Sequence, residues 1–394
     1  MQKKVISVLM IVSAFHAVLS LATNIFLARY LGVDALGKYN YAVTLGTFAY
    51  QLVGFGVDQI LVNEYVRGGR RAVTKAYLFK MINYCILIII SVVLYVLLNK
   101  TIGLLSCAIA INALNFQVVY EIKGEPKKYS YIFFVEKLIF GIGLGIYLIG
   151  GGQNLVTIFI IYFFCACASI FFQAHDSVEI FDRTGVVPID KKLFFVGLSV
   201  LVTGLSKYTF GGFSRILIKE NLGFAALGLF TLIWQFVSLV SIYTQQIISV
   251  VRLNIAEKIK RLEYEEIKRQ SIYLMCASIT PAVGFIAMAY LFRNIEYFSG
   301  IYLSVNDILP WVAIYMFVAA LDSFLILYYI PLKLELVALK AYAFFSIICF
   351  LLLMSNQLPS NLVAYILVIT LTHFFAICYI VSIIWQNINN FKSN

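Results

Sequence analysis

Long apolar runs are the feature that most constrains this chain. Crossing a bilayer core takes about 20 helical residues. Runs of that size fall near residues 5–28, 39–62, 76–98, 102–121, 131–150, 154–175, 193–217, 228–251, 270–291, 308–330, 339–356 and 361–385. Strand-like alternation is absent from them, and in lipid a helix satisfies its own backbone, so a barrel is not expected. Composition agrees: 62% of residues are hydrophobic, 12% are charged, and mean hydropathy is +0.92. The expected fold class is an all-α integral membrane protein of about twelve transmembrane helices.

The start, MQKK followed by an apolar stretch, has the charge pattern of a secretory signal. The stretch runs to Leu27 with no small-residue cleavage site, so it reads as the first helix. Seven cysteines all fall inside proposed spans, without CxxC spacing, so neither disulfides nor a zinc site is expected. His16, His175 and His373 lie on separate spans without metal-ligand spacing, and each reads as a packed side chain.

Lysine and arginine outnumber acidic residues by 30 to 19. In a soluble protein that excess could point to nucleic acid, but here its distribution decides the matter. With the N-terminus inside, the cytoplasmic segments collect clusters such as Arg67, Arg70, Arg71 and Lys75, Lys123, Lys127 and Lys128, and Lys258, Lys260 and Arg261. The opposite side holds only Arg29, Lys38, Lys100, Lys219 and Arg293. The positive-inside rule then puts both termini in the cytoplasm and leaves no role for nucleic acid.

One phrase is written twice. Residues 30–39 read YLGVDALGKY and residues 221–230 read NLGFAALGLF. Each copy sits between the first and second span of a block of six, on the outer face. An even number of spans separates them, so the halves share one orientation, as in transporters built from parallel repeats. The expected organisation is an N-terminal six-helix lobe at 1–175, a cytoplasmic linker at 176–192 and a C-terminal six-helix lobe at 193–394. The glycines suit a tight helix-to-helix reversal.

Little here suggests an enzyme. The loops are short, there is no P-loop, and GIGLG at 141–145 lacks the nucleotide-binding pattern; its Gly141 and Gly145 have the spacing of a close helix contact. RLNIAEKIKRLEYEEIKR at 252–269 reads either as a helix on the cytoplasmic surface or as an extension of the eighth span. A membrane polysaccharide polymerase or glycosyltransferase would need a sizeable outer loop with acid/base groups, whereas the longest loops here face the cytoplasm.

Four segments carry a family resemblance: FLARYLGVDALGKYNYA at 26–42, GFGVDQILVNEYVR at 54–67, KGEPKKYSYIFFVEKLI at 123–139 and GIYLSVNDILPWVAIYMFVAALDSFL at 300–325. The chain resembles Wzx-type flippases of O-antigen and capsule repeat units, in the multidrug/oligosaccharidyl-lipid/polysaccharide exporter superfamily. The resemblance implies a multi-pass protein of the bacterial inner membrane, its two lobes around a central cavity, that moves an undecaprenyl-pyrophosphate-linked oligosaccharide from the cytoplasmic to the periplasmic leaflet by alternating access. It implies no cofactor, possible coupling to a proton or sodium gradient, and a polysaccharide polymerase and chain-length regulator as possible partners. A drug/cation antiporter of the same superfamily is the alternative, and would favour an acidic chamber.

A sugar diphosphate needs a polar, preferably cationic, chamber, and ionisable residues within spans usually face a cavity or a partner. Lys207 and Arg215 in KYTFGGFSR flank Gly211 at helical spacing and are the leading substrate-binding candidates, although either could instead reach an interface. Arg29 could line the outer mouth or cap the first helix, and the cap is preferred. Lys137 is a further candidate; it adjoins Glu136, and the two are expected to point in different directions. Trp234 and Gln235 are candidates for sugar contacts, with Tyr243, Gln245 and Gln246 beyond. Asp322 is a candidate for ion coupling or for a structural pair with a cation such as Lys207. Asp58 is another ion-coupling candidate, at a position the resemblance marks as acidic, with pairing to a neighbouring helix preferred. Lys80 is expected to snorkel to the cytoplasmic interface.

Overall fold

A computed structural model describes residues 2–98, 102–182, 191–261, 263–292, 309–355 and 362–390; among them there is no strand. Contacts divide the chain into two compact units, Met1–Tyr208 and Thr209–Asn394. The first holds α1 (Gln2–Gly54), α2 (Val57–Gly68), α3 (Arg70–Leu98), α4 (Ile102–Ala110), α5 (Gln117–Ile122), α6 (Pro126–Ile149), α7 (Leu155–Asp176) and α8 (Lys191–Tyr208). The second opens with a π-helical turn, Thr209–Phe213, and continues with α9 (Ser214–Lys260), α10 (Tyr264–Phe292), α11 (Leu309–Tyr329), α12 (Glu335–Met354) and α13 (Leu362–Asn390).

Ten helical stretches among the described residues are long and apolar enough to cross a membrane; shorter apolar stretches at Val18–Gly32 and Phe236–Gln245 fall where the first and eighth spans are expected. The protein is a multi-pass membrane protein. In α3 the sides of the helix show why. Ile82, Ile86, Ile89, Val93 and Val96 recur every three or four residues and are exposed, while Val73, Ala76, Tyr77, Lys80 and Tyr84 are buried on the other side.

The repeated phrase is not a loop. Each copy is a break of one glycine inside a long helix: Gly32 in α1, with φ 83° and ψ 165°, and Gly223 in α9, with φ 84° and ψ 178°. Glycine without a Cβ adopts such angles at no steric cost. The second glycines, Gly37 and Gly228, are helical and buried.

Several expected spans are interrupted. The second is cut at Phe55 and Gly56, both at positive φ (49° and 70°), before α2 begins. The fourth breaks between α4 and α5, where Ile111–Leu114 is a 3-10 turn. The seventh passes through the π turn, a common marker of functional sites. The charged segment at 252–269 is the end of α9 and the start of α10, so it extends the helices; Glu266 ties the two ends together by pairing with Lys258 at 2.9 Å, and pairs within α10 with Arg269 at 2.7 Å.

The division at Tyr208 assigns α8 to the first unit, whereas the sequence suggests that a second lobe starts at 193. The break in the second span explains the attachment. A methyl group added at Gly56 would come within 2.8 Å of Val200 Cβ and 2.9 Å of the Gly197 carbonyl oxygen, and one added at Gly197 would lie 3.0 Å from the Phe55 carbonyl oxygen. Two glycines therefore let α8 lie directly on the break, and Ile60, Val196 and Val200 complete the apolar contact. The GIGLG segment behaves differently from expectation. Gly141 faces Leu19 of α1 and Gly143 faces Ile161 of α7, while Gly145 faces open space.

Candidate functional site

The first unit holds a partly open cavity of about 460 Å³ between α1, the broken α4–α5 helix, α6 and α7. It exists because α4 stops short. At Ile111–Phe116 the backbone leaves the helical pattern, and within a membrane each freed N–H and C=O needs a partner from the protein. Amide and tyrosine side chains supply them. Gln173 of α7 accepts the Phe116 N–H at 2.8 Å, the Asn115 side chain accepts the Gln117 N–H at 3.1 Å, and the Tyr77 hydroxyl donates to the Asn115 carbonyl at 2.6 Å. Asn112 donates to the Ile109 carbonyl at 2.9 Å and to the Tyr162 hydroxyl at 2.7 Å. Asn112, Asn115 and Gln173 therefore serve both the break and the cavity wall, and Gln117 lines the cavity with its side chain donating to Glu121 at 3.1 Å.

Lys137 and Glu136 both line this cavity. Lys137 Nζ pairs with Glu136 at 2.6 Å, reaches the Tyr162 hydroxyl at 3.3 Å, and lies 4.8 Å and 4.6 Å from the ring centres of Phe133 and Tyr162. The expectation that these neighbours diverge is corrected. Successive helical positions differ by about 100°, and the inward sector of a core-facing helix is at least that wide. Lysine's long stem then brings its ammonium back to the adjacent carboxylate.

Asp58, at the start of α2, pairs with Lys80 of α3. The Lys80 side chain is fully buried, so it does not snorkel as expected; the inward register of α3 carries it into the protein, where Tyr77 also offers a ring 4.8 Å away. Removing one partner of such a buried pair is much costlier than the pair's net worth. Asp58 is thus placed as a link between helices, the preferred reading from sequence.

In the second unit Asp322 is 8% exposed and accepts a hydrogen bond from the fully buried Tyr342 hydroxyl. His373 Nε2 stands 3.5 Å from its other carboxylate oxygen. The imidazole lies flat on Phe210 of the π turn, with centroids 4.5 Å apart and planes 2° apart, and Tyr315 closes another side at 5.7 Å. His373 is packed, as the sequence suggests, and in addition stands beside a buried carboxylate. Tyr342 of α12 and His373 of α13 thus converge on the buried carboxylate of α11, and Phe210 of the π turn backs the imidazole.

Trp234 is buried, stacked on Phe230 at 4.7 Å and against Tyr315 at 4.6 Å, as part of the aromatic core of the second unit. Tyr243 ties α9 to α10 through the Ala277 carbonyl at 3.3 Å. Lys207 stands near the end of α8, in the last turn of the first unit, and Arg215 near the start of α9 in the second, both half-buried. Arg29 is exposed on α1 one turn before Gly32, and His175 is exposed at the end of α7. The side chains of Gln235, Gln246 and His16 lie outside the described residues, as do Lys100 and Arg293.

The amides of the cavity are what sequence reasoning missed. Their signal is present in INALNFQ at 111–117, where Asn112, Asn115 and Gln117 interrupt an apolar run. Amides within a span need partners, and three in seven residues foretell a broken helix.

The family model described as polysaccharide biosynthesis protein matches residues 3–253. Among solved structures, a MOP superfamily transporter from Pyrococcus furiosus, reported with a binding pocket of reverse polarity, has a TM-score of 0.70 at 12% identity, covering 99% of this chain and 97% of its own. An outward-facing multidrug resistance MATE family transporter of the same superfamily has a TM-score of 0.69 at 12% identity, with the same two coverages of 99% and 97%. An inward-facing MATE family transporter has a TM-score of 0.63 at 13% identity and covers 95% of each chain. No curated protein matches in sequence. At such identities the structures show a shared fold.

Proposed function

Since the chain belongs to the polysaccharide biosynthesis protein family and shares its fold with MOP superfamily transporters, we propose that it is a flippase for a lipid-linked oligosaccharide. The cargo is an undecaprenyl-pyrophosphate-linked repeat unit, of O-antigen or another surface polysaccharide, carried from the cytoplasmic to the periplasmic leaflet. The protein works in the bacterial inner membrane with both termini in the cytoplasm, beside a polymerase and a chain-length regulator that consume the product.

The observation that carries this reading is the cavity of the first unit. Its wall of amides and tyrosines, with one lysine held by one glutamate among the lining residues, matches a hydroxyl-rich ligand. Such a ligand donates and accepts hydrogen bonds and presents apolar ring faces. Lys207 and Arg215 are assigned to the pyrophosphate, which cationic side chains bind best, with Arg29 at the outer mouth. Trp234 and Gln235, in the second unit, stand as further glycan candidates. No chemical bond changes; the protein supplies a polar path for the head while the lipid tail stays in the bilayer.

Energy enters through Asp322, with Asp58 confined to its link with Lys80. A buried carboxylate that accepts from Tyr342 and faces His373 at 3.5 Å is suited to binding a proton or sodium ion, because a cation entering or leaving changes which of the two it engages. Movement between the two access states then follows the population shift that differential binding produces.

The drug/cation antiporter reading draws on the MATE-type fold, but the cavity shows no excess of acidic groups among its lining residues. Liposomes containing the purified protein distinguish the two. The flippase reading expects transfer of lipid-linked oligosaccharide between leaflets and no gradient-driven movement of a cationic dye. Dye movement without lipid transfer would establish the antiporter instead.

A further inference from the structure

We infer that the cavity of the first unit is a glycan subsite with no net charge, in which Glu136 selects against acidic sugars by neutralising Lys137. The inference rests on the flippase reading and names which part of the cargo this cavity takes.

Three observations meet here. First, among the lining residues Lys137 is the only cation and Glu136 the only carboxylate, and they are paired at 2.6 Å. Second, the ammonium spends a further donor on the Tyr162 hydroxyl at 3.3 Å and sits between the rings of Phe133 and Tyr162, so it is held in place and not extended toward an incoming anion. Third, Asn24, 6% exposed, lines the cavity with a side-chain oxygen that accepts no hydrogen bond among the described residues, its amide nitrogen being used on the Ser20 carbonyl at 3.0 Å. A buried acceptor left open is costly unless a ligand donor fills it. A sugar hydroxyl is such a donor, and the aromatic walls suit its C–H faces.

The position supports the assignment. Lys137 lies midway along α6 and Tyr162 in the first half of α7, so the cavity is within the helical spans and not at their mouths. An acidic sugar entering there would meet the Glu136 carboxylate in a medium that screens charge poorly. It could capture Lys137 only by breaking the existing pair. An uncharged sugar leaves the pair intact and satisfies Asn24.

The test measures binding of two soluble probes to the purified full-length protein: an uncharged N-acetylhexosamine trisaccharide and a uronic acid trisaccharide of similar size, at fixed salt. The wild type should favour the uncharged probe by about tenfold, because in a buried site of no net charge the acid loses hydration without gaining a counter-charge. Glu136→Gln should erase or reverse that preference. Glu136→Gln combined with Lys137→Gln, neutral again, should restore it, and Lys137→Gln alone should deepen the rejection of the acid, which keeps the test informative where one variant fails to fold. Equal binding of both probes by the wild type, binding of neither, or an unchanged ratio across folded variants overturns the inference. Leaflet transfer measured in parallel separates the two readings. Transfer without charge discrimination overturns the subsite alone, and discrimination without transfer overturns the flippase reading alone.

Discussion

Gly32 and Gly223, in helices of different units, hold the same backbone conformation, with φ 83° and 84° and ψ 165° and 178°. Both occupy the same position of the repeated phrase, and their angles lie in a region essentially reserved for glycine. Neither has a neighbour within 4 Å of where a Cβ would be. The requirement for glycine is therefore conformational and not steric.

Replacing either glycine by alanine should destabilise the protein by about 1–3 kcal/mol through backbone strain alone. Gly145→Ala, helical and facing open space, should be neutral or stabilising by up to about 1 kcal/mol. Thermal unfolding of the three variants in detergent checks this. Equal effects at all three positions would contradict the assigned angles.

Gly56→Ala should cost more than Gly32→Ala. It combines positive φ with a methyl group 2.8 Å from Val200 and 2.9 Å from the Gly197 carbonyl oxygen, which must move α8 away from the break. Proteolysis or cysteine accessibility along α8 should rise in this variant and stay unchanged in Gly32→Ala.

For the pair between Asp58 and Lys80, Lys80→Met should destabilise by about 1–3 kcal/mol by leaving a partly buried carboxylate unpaired. Adding Asp58→Leu should recover most of that loss, since two apolar side chains need no partner. Thermal unfolding of both single variants and of the double variant gives the coupling directly. Additive losses would show that the pair does not act as a unit.

The sequence is most legible where a physical requirement is local. The apolar runs foretell the spans, and the repeated glycines mark the breaks, because both express a length or a backbone angle. The inward position of Lys80 was also readable: Val73, Ala76, Tyr77, Lys80 and Tyr84 share one helical face, and a charge on that face needs a carboxylate nearby. What could not be read is which distant residues meet. That Asp322 and His373 share a site depends on how α11 and α13 pack, and nothing in either segment specifies it. Similarly, Gln173 and Phe116 come together only because α7 lies against the break. The curl of Lys137 onto Glu136 is a rotamer choice, which spacing alone does not encode.

Asp322→Asn should uncouple transport. The variant keeps an acceptor for Tyr342 but removes the charge beside His373. Transfer rates in liposomes should then become insensitive to an imposed proton or sodium gradient, while oligosaccharide binding changes less than about threefold, a fraction of 1 kcal/mol. A response to the gradient equal to that of the wild type would remove Asp322 from the coupling step.

Transfer itself is the most direct measurement. Purified protein is reconstituted in liposomes carrying undecaprenyl-pyrophosphate-linked oligosaccharide in one leaflet, and its appearance in the other is followed for the wild type and for Lys207→Ala combined with Arg215→Ala. The account predicts transfer by the wild type well above protein-free liposomes, and its loss in a double variant that remains folded. No transfer by well-folded wild type would contradict the proposed function, and unchanged transfer in the double variant would remove these two cations from the path of the pyrophosphate.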